Sequence, residues 1–302
     1  MRINMLLRQD IKDDFLNLFT KIMENEPLDN DNKLNLFVLK ISNNSFNLGD
    51  LTEELENALL TYALSRHTVN DLVDRNKLGN LASKAREKLR NAKSNEGELG
   101  ELLLYCLLES HLHAPKLLTK LELKTASNDY VKGADGVHLL QIDKSSYQIV
   151  FGESKLNSDL HEGIKDAFDS IKTMMDNDLR KMRYEISLVN SNILKEVVTE
   201  ESTEILKKLL IPTENDDNLN IDNSFGVFLG FDIEISDDER KMNHSQFREY
   251  LNDRVKAVVN KQIPTINKFL NESNFLGYDF YFYIIPFSEL ERIRKDIISQ
   301  LK

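Results

Sequence analysis

The sequence predicts an α/β fold in which a mixed central sheet is flanked by helices. Of its 302 residues, 41% are hydrophobic and 29% are charged, a balance typical of a soluble globular chain with a sizeable core. Short apolar runs of strand length alternate with longer stretches whose apolar residues recur at helical spacing. From residue 98 onward the order of these patterns is helix, strand, strand, strand, helix.

The first part of the chain predicts one strand and then helices. Leu34–Ile41 has the length and apolar content of a strand, and Asn43–Asn44 follows it as a turn signal. Apolar residues recur at helical spacing over Leu51–Ala63, with Asp50 as the predicted N-cap. Helical patterning then resumes over Asp71–Arg90.

The middle of the chain holds the most informative run of elements. Glu98–Ser110 is strongly apolar and predicts a buried helix, and the alternation in Leu117–Thr125 predicts a strand. Two further strands are predicted over Gly133–Ile142 and Ser146–Phe151, joined by a short polar turn. Ser158–Asp176 predicts a helix that is capped by its first or second residue.

The last third of the chain alternates helices with strands. It predicts a mostly helical stretch, a polar loop, a strand, a helical stretch interrupted at a proline, a second strand and a terminal helix. In chain order these elements are Ile186–Leu210, Pro212–Asn223, Phe225–Ile235, Gln246–Asn271 with its break at Pro264, Tyr278–Ile285 and Ser288–Leu301. We therefore expect an N-terminal α/β region over residues 1–93 and a core with C-terminal helices and strands over residues 94–302, unless the two form one compact domain.

Charge and cysteine content limit the function classes that the chain can belong to. Lys and Arg number 39 against 50 Asp and Glu, for a formal net charge of −11, which argues against a simple DNA-coating protein but not against a metal-dependent nuclease. The single cysteine, Cys106, allows no internal disulfide and no cysteine-based zinc site. No apolar run approaches the roughly 18 residues of a membrane span, and the N-terminus lacks a signal-peptide core. We expect a cytoplasmic protein without membrane association.

The candidate catalytic residues lie on the predicted hairpin in the middle of the chain. Asp135 lies in its first strand, and Glu153 and Lys155 lie at the end of the second. Because strand side chains alternate between faces, Glu153 and Lys155 point the same way. Pairing of the two strands would bring Asp135 to Glu153, and two carboxylates at one point suit Mg²⁺ (or Mn²⁺). Lys155 would then orient or deprotonate a water and offset phosphate charge. The alternative is an ordinary surface Glu–Lys pair at a strand end.

A carboxylate on the preceding helix is expected to complete the metal site. Glu101 lies on the helix that leads into this sheet, and Glu98 lies one turn earlier on roughly the same side. Either residue suits the role. We choose Glu101, since it lies nearer the apolar body of the helix.

A basic strip precedes that helix. Residues 74–93 carry seven basic side chains and two acidic ones, and the candidate DNA contacts among them are Arg86, Lys88, Arg90 and Lys93. The alternative is a charged helix that simply presents a solvated face. The acidic remainder of the chain makes a local basic surface more necessary if DNA is bound at all.

The order of these elements and residues resembles the PD-(D/E)xK nuclease superfamily, with a helix Glu, a strand Asp and a strand Glu-x-Lys. The pair Gly100–Glu101 at the start of an apolar helix, followed by Gly133–Asp135 and Gly152–Lys155, is similar more narrowly to the HamA family. That family provides the nuclease-like subunit of the bacterial Hachiman anti-phage defence system. The motif-bearing part covers residues 97–175, and one departure from the superfamily pattern is that no proline precedes Asp135.

The resemblance implies a restriction-endonuclease-like core of helix, mixed sheet and helix within residues 94–302. It implies metal-dependent cleavage of DNA phosphodiester bonds, with Glu101, Asp135, Glu153 and Lys155 as catalytic residues. It also implies a superfamily-two helicase partner, HamB. The alternative is a catalytically degenerate nuclease fold that senses DNA or acts as a scaffold for the helicase.

Overall fold

The strands and helices follow from a computed structural model that describes residues 7–90, 97–119, 121, 133–175, 180–197, 206–208, 210 and 219–302. Its strands are β1 (Phe19–Pro27), β2 (Lys33–Leu39), β3 (Ile41–Ser42), β4 (Ser45–Phe46), β5 (Lys116–Thr119), β6 (Gly136–Gln141), β7 (Ser146–Leu156), β8 (Asn220–Asp232) and β9 (Asp279–Phe287). Its helices are α1 (Leu48–Ala63), α2 (Arg66–Asp74), α3 (Leu78–Arg90), α4 (Glu98–Ser110), α5 (Leu160–Met175), α6 (Arg180–Asn192), α7 (Asp237–Arg240), α8 (His244–Asn260), α9 (Ile263–Leu270) and α10 (Leu290–Leu301). Short 3₁₀ helices cover Asp13–Leu18, Asp29–Asp31 and Ile193–Lys195.

Seven of these strands form one mixed sheet in the order β1-β2-β9-β8-β7-β6-β5. The middle strands β2, β9, β8 and β7 run parallel, whereas β1 at one edge and β6 and β5 at the other are antiparallel to their neighbours. The parallel strands are apolar along most of their length because both faces of the sheet are covered. Because β2 pairs with β9, residues from both ends of the chain build this sheet. The mixed sheet and its flanking helices confirm the predicted α/β class.

Helices α4 and α5 cover opposite faces of β7 and β8. Every residue of α4 is buried, and its leucine side chains pack so closely on Gly152 and Gly226 that a Cβ there would lie 3.1 Å and 2.7 Å from them. On β7, Ser154 contacts α4 through Gly100, while the neighbouring Glu153 accepts a hydrogen bond from a serine of α5. Alternation along the strand therefore places the two helices on opposite faces.

Several predicted elements are confirmed, one of them with both of its bounds. The buried helix is α4, residue for residue as predicted. The predicted helix after β7 is α5, and the carboxylate of Asp159 caps it by accepting the N–H of Glu162 at 3.0 Å. The predicted break at Pro264 is confirmed, because α8 ends at Asn260 and the proline sits in the first turn of α9, where its missing N–H costs nothing.

Other predicted bounds were wrong for identifiable reasons. The predicted helix over Asp71–Arg90 is two helices, α2 and α3, because the chain turns between them at Asn76 with a left-handed φ of 55°. The predicted N-cap Asp50 lies inside α1, which begins at Leu48. Residues 220–223 belong to β8 and not to a polar loop, since they pair with the start of β7.

The strands that carry the candidate catalytic residues also differ from their predicted bounds. β6 begins at Gly136, so Asp135 lies directly before this strand and not within it. β7 continues to Leu156, so Glu153 and Lys155 lie within the strand. Parts of the predicted strand over Leu117–Thr125, the helical stretch over Ile186–Leu210 and the loop after it lie outside the described residues. No helix in the described part of the chain is long and apolar enough to cross a membrane.

Candidate active site

The four predicted catalytic residues line one cavity of about 730 Å³ near the C-terminal end of β7. Glu153 and Lys155 enter it from β7, Asp135 from the turn before β6, and Glu101 from the first turn of α4. The cavity is therefore built by the sheet and by the helix that packs on it. Residues separated by more than 50 positions in the sequence meet there because β6 and β7 pair beside the start of α4.

Asp135 is held in place by the backbone and side chain of β7. Its N–H donates to the carbonyl of Gly152 at 2.9 Å, which continues the β6–β7 ladder by one bond. Its carboxylate accepts hydrogen bonds from both the N–H and the hydroxyl of Ser154, each at 2.8 Å. The pairing of Gly136 with Gly152 places Asp135 opposite Glu153, and both residues line the cavity, with β7 itself positioning the aspartate.

Glu153 and Lys155 form an ion pair on one face of β7. The Lys155 Nζ lies 2.6 Å from Glu153 Oε1, and only 5% of Glu153 is exposed. Burial, with a further contribution from the Asp135 carboxylate, raises the pKa of Glu153 to about 7 against the opposing effect of Lys155. Burial by itself would lower the pKa of Lys155, but the charges of Glu153 and Asp135 outweigh it and raise the pKa, so the lysine is a cation.

Glu101 lines the cavity and is hydrogen-bonded to a buried tyrosine. The Tyr62 hydroxyl donates to Glu101 Oε2 at 2.9 Å, and burial together with Glu101 holds the pKa of Tyr62 well above its usual value. The tyrosine is therefore a hydrogen-bond donor that orients this carboxylate. Of the two helix carboxylates considered from the sequence, Glu101 lines the cavity, while Glu98 is buried one turn earlier.

The donor chemistry of the cavity fits a hard divalent cation. Asp135 and Glu153 are two buried carboxylates, and burial together with the charge of Asp135 raises the pKa of Glu153. A bound cation would stabilise both carboxylates in their charged form. In the described residues, however, no group of three His, Cys, Asp or Glu side chains has converged into a metal-binding arrangement. The three carboxylates instead contact Lys155, Ser154 and Tyr62, so these contacts would have to adjust when a cation binds.

Comparison with protein families agrees with the sequence motifs. A family model for HamA matches residues 13–301. The chain belongs to the HamA family. The narrower of the two resemblances, to the HamA family, is thus confirmed over nearly the whole chain, and membership makes this chain a subunit of the Hachiman anti-phage defence system. Among curated proteins, none matches the chain.

The cavity of this HamA-family chain also contains residues that the sequence analysis did not single out. One face of α5 lines it with Asp166, Asp169, Ser170 and Thr173, and α6 adds Lys181. The α5 residues recur at positions i, i+3, i+4 and i+7, which is the spacing of one helix face. A polar face of this kind was visible in the sequence, but nothing local indicated that it meets β7 rather than solvent.

A close approach between a glycine and a buried glutamate shapes the turn that carries Asp135. Gly133 has a φ of +151°, and a Cβ there would lie 1.7 Å from Oε1 of Glu185. Only glycine fits this position, because a side chain would collide with the carboxylate. Glu185 is on α6 and 3% exposed, so α6 packs directly on the Gly-Ala-Asp segment of this HamA-family chain.

The predicted basic strip lies on α3. Arg86 is exposed and Lys88 is half-buried. Arg90 donates from Nε to the backbone carbonyl of Lys302 at 2.7 Å, so it anchors the end of α10. Lys93 lies outside the described residues. The strip therefore remains a candidate DNA contact in which Arg90 is held by a structural contact.

Proposed function

We propose that this HamA-family chain is a Mg²⁺-dependent (or Mn²⁺-dependent) deoxyribonuclease, the effector subunit of its Hachiman system. One observation carries the proposal: Glu153 and Lys155 share a strand face and meet Asp135 in one cavity. A carboxylate pair beside a lysine is what phosphodiester hydrolysis requires, since the reaction needs a positioned water and stabilisation of developing phosphate charge. The placement of these residues on a helix, mixed sheet and helix supports a PD-(D/E)xK core.

Each residue has a role in this proposal. Asp135, Glu153 and Glu101 would hold the cation, which when bound supplies a Lewis acid for the phosphate. Lys155 places its ammonium beside Glu153, where it can orient the attacking water and neutralise charge on the phosphate. Ser154 and Tyr62 are positioning residues, because their hydrogen bonds set the orientations of Asp135 and Glu101.

The charge of the cavity supports a partner that delivers DNA. Among the described residues, its lining contains the carboxylates of Glu101, Asp135, Glu153, Asp166 and Asp169 but only the lysines Lys155 and Lys181. With a net charge of −11 for the whole chain, intrinsic affinity for DNA phosphates should be weak. A superfamily-two helicase partner, HamB, would supply both DNA delivery and restraint.

A second candidate function is supported by the contacts that the carboxylates make with neighbouring protein groups. Each of the three candidate metal ligands contacts a protein group, and no metal-binding group of three is formed in the described residues. A nuclease fold kept in that state would serve as a DNA-sensing or scaffold subunit for the helicase. The proposed nuclease is favoured because all four expected residues line the same cavity.

Degradation of plasmid DNA distinguishes the two functions. We expect cleavage by the chain together with the helicase encoded beside it, in Mg²⁺ and ATP, and complete loss of cleavage in EDTA. The Lys155→Ala chain in the same complex is the control for a contaminating nuclease. Cleavage that persists in EDTA would contradict the metal-dependent mechanism, and the absence of cleavage by the complete complex would favour the scaffold function.

A further inference from the structure

In the part of the chain that the structure describes, the cavity has one lysine besides Lys155, and it comes from α6. Lys181 lines the cavity, and its Nζ donates to the carbonyl of Thr173, which also lines it, at 2.7 Å. Lys155 forms an ion pair with Glu153, whereas the contact of Lys181 is with an uncharged carbonyl. An ammonium has three donors, so the bond to Thr173 fixes the position of Lys181 and leaves donors for a phosphate.

The same face of α6 carries an exposed aromatic ring one turn farther on. Residues three apart on a helix lie side by side, so Tyr184 follows Lys181 on the outer face, and the tyrosine is 56% exposed. Met182, Glu185 and Val189 of α6 are buried and form its inward face. A single exposed tyrosine is ordinary, but one placed a helical turn from a cavity lysine combines a phosphate-binding cation with a flat stacking surface.

We propose that α6 is the DNA-binding wall of the cavity, with Lys181 holding a backbone phosphate and Tyr184 stacking on the adjacent base. A base can stack on a protein ring only when it has left the duplex stack. The substrate is therefore single-stranded or locally unpaired DNA, which is the form that a helicase produces. This inference rests on the proposed function and adds the substrate class to it.

Binding without cleavage tests the inference. The full-length chain is titrated in EDTA into a single-stranded oligonucleotide with one 2-aminopurine, whose fluorescence falls when the base stacks on an aromatic ring, and into the matching duplex. We expect quenching with the single strand and weaker binding to the duplex. Tyr184→Leu should abolish the quenching and weaken binding by about fivefold or more, the low end of one base stack, whereas Tyr184→Phe should keep both.

The lysine is tested by salt dependence. Lys181→Met should weaken binding of the single strand and reduce the slope of log K against log salt by about 0.7, the value for one phosphate contact. The matched controls are Lys172→Met, an α5 lysine paired with Glu272 at 3.5 Å, and Tyr250→Leu, an exposed tyrosine on α8. Both controls should bind like the unmodified chain.

The outcomes separate this inference from the proposed function. Equal binding of duplex and single strand, or variants of Lys181 and Tyr184 that behave like their controls, would overturn the inference even if the chain cleaves DNA. The expected quenching and salt slope, without any cleavage in Mg²⁺ and the helicase, would support the binding wall and contradict the nuclease.

Discussion

Asp135, directly before β6, lies opposite Glu153 of β7, because Gly136 pairs with Gly152 and the Asp135 N–H donates to the Gly152 carbonyl at 2.9 Å. Both carboxylates are buried, and burial together with Asp135 raises the pKa of Glu153 to about 7. Two carboxylates held together by strand pairing repel each other and destabilise the fold unless a positive charge compensates them. A bound divalent cation would supply that charge.

The first prediction distinguishes the role of the two carboxylates, as metal ligands, from the role of Lys155 in cleavage. Asp135→Ala and Glu153→Ala each remove a carboxylate, so both should lose Mg²⁺ binding and at least about 100-fold of the cleavage rate. Lys155→Ala should keep most of the metal affinity, because an ammonium does not coordinate Mg²⁺, yet lose cleavage to a similar extent. Calorimetric metal titration and a nuclease assay on the same preparations provide the measurement.

The exposed ion pair of Glu162 and Lys165 on α5, with 2.9 Å between its charged atoms, offers a matched control for this experiment. Glu162→Ala and Lys165→Ala should leave metal binding and cleavage unchanged. Folding of all these variants should be normal, as judged by circular dichroism. Wild-type cleavage by Lys155→Ala would exclude the proposed role of that lysine.

The partner prediction follows from the charge. We expect the chain to co-purify with a helicase encoded beside it, because an acidic subunit needs another protein to bring it to DNA. Phage protection, measured as efficiency of plating, should require both genes. A catalytic Lys155→Ala chain should still co-purify with the helicase but give no protection. Strong protection by this chain after deletion of the helicase gene would contradict the prediction.

The basic strip on α3 makes a prediction about salt. Neutralising Arg86, Lys88 and Arg90 to Gln should weaken DNA binding for all sequences and lower the slope of log K against log salt by about 0.9 per lost duplex phosphate contact. Arg90→Gln alone should act mainly on the end of α10, through its lost bond to Lys302. An unchanged slope in the triple variant would mean that the strip is only a solvated face.

A buried arginine outside the cavity gives a prediction about stability. Arg66 is 1% exposed and lies 2.8 Å from Asp10, 3.2 Å from Glu109 and 2.9 Å from Glu196. Arg66→Met should lower the free energy of unfolding by about 3–5 kcal/mol, since it leaves buried carboxylates without their guanidinium. Arg75→Met, which removes an exposed ion pair, should cost about 0–1 kcal/mol. Urea unfolding compares the two, and equal losses would argue against the buried cluster.

The capping box of α7 predicts a pH dependence. The Glu239 carboxylate accepts the Ser236 N–H at 2.6 Å and the Tyr250 hydroxyl at 2.7 Å. These contacts, with that of the Ser236 backbone the largest, lower the pKa of Glu239 from 4.5 to about 2. The folded state therefore binds fewer protons than the unfolded state, and the stabilisation is complete above pH 4.5 and lost as pH falls through about 2.

Glu239→Gln should accordingly cost about 0.3–1 kcal/mol at pH 7, because Gln can still accept the Ser236 N–H and the loss is that of a negative charge at a helix N-terminus. The difference from the unmodified chain should shrink steadily as the pH falls below 4.5. Urea unfolding at pH 7, about 4 and about 3 measures it. A difference that stays constant over this range would mean that the charge of Glu239 does not contribute.

Local patterns in the sequence determined much of this protein. The apolar run of α4 was sufficient to predict its bounds, because a helix buried on all sides is apolar all round, so the apolar run is continuous along it. The shared face of Glu153 and Lys155 followed from strand alternation alone. The motif residues of the candidate site could therefore be named before any tertiary contact was known.

Only the tertiary structure decided which polar residues are buried and which elements meet. β1 was not predicted, since most of its residues are exposed and polar, and it forms only because β2 pairs with it at the sheet edge. Arg66 is buried because Glu196, 130 positions away, reaches it, and Lys181 meets the cavity because α6 packs beside α5. Periodicity records the preference of each residue for water or core, whereas a buried charge depends on partners that folding brings from distant parts of the chain.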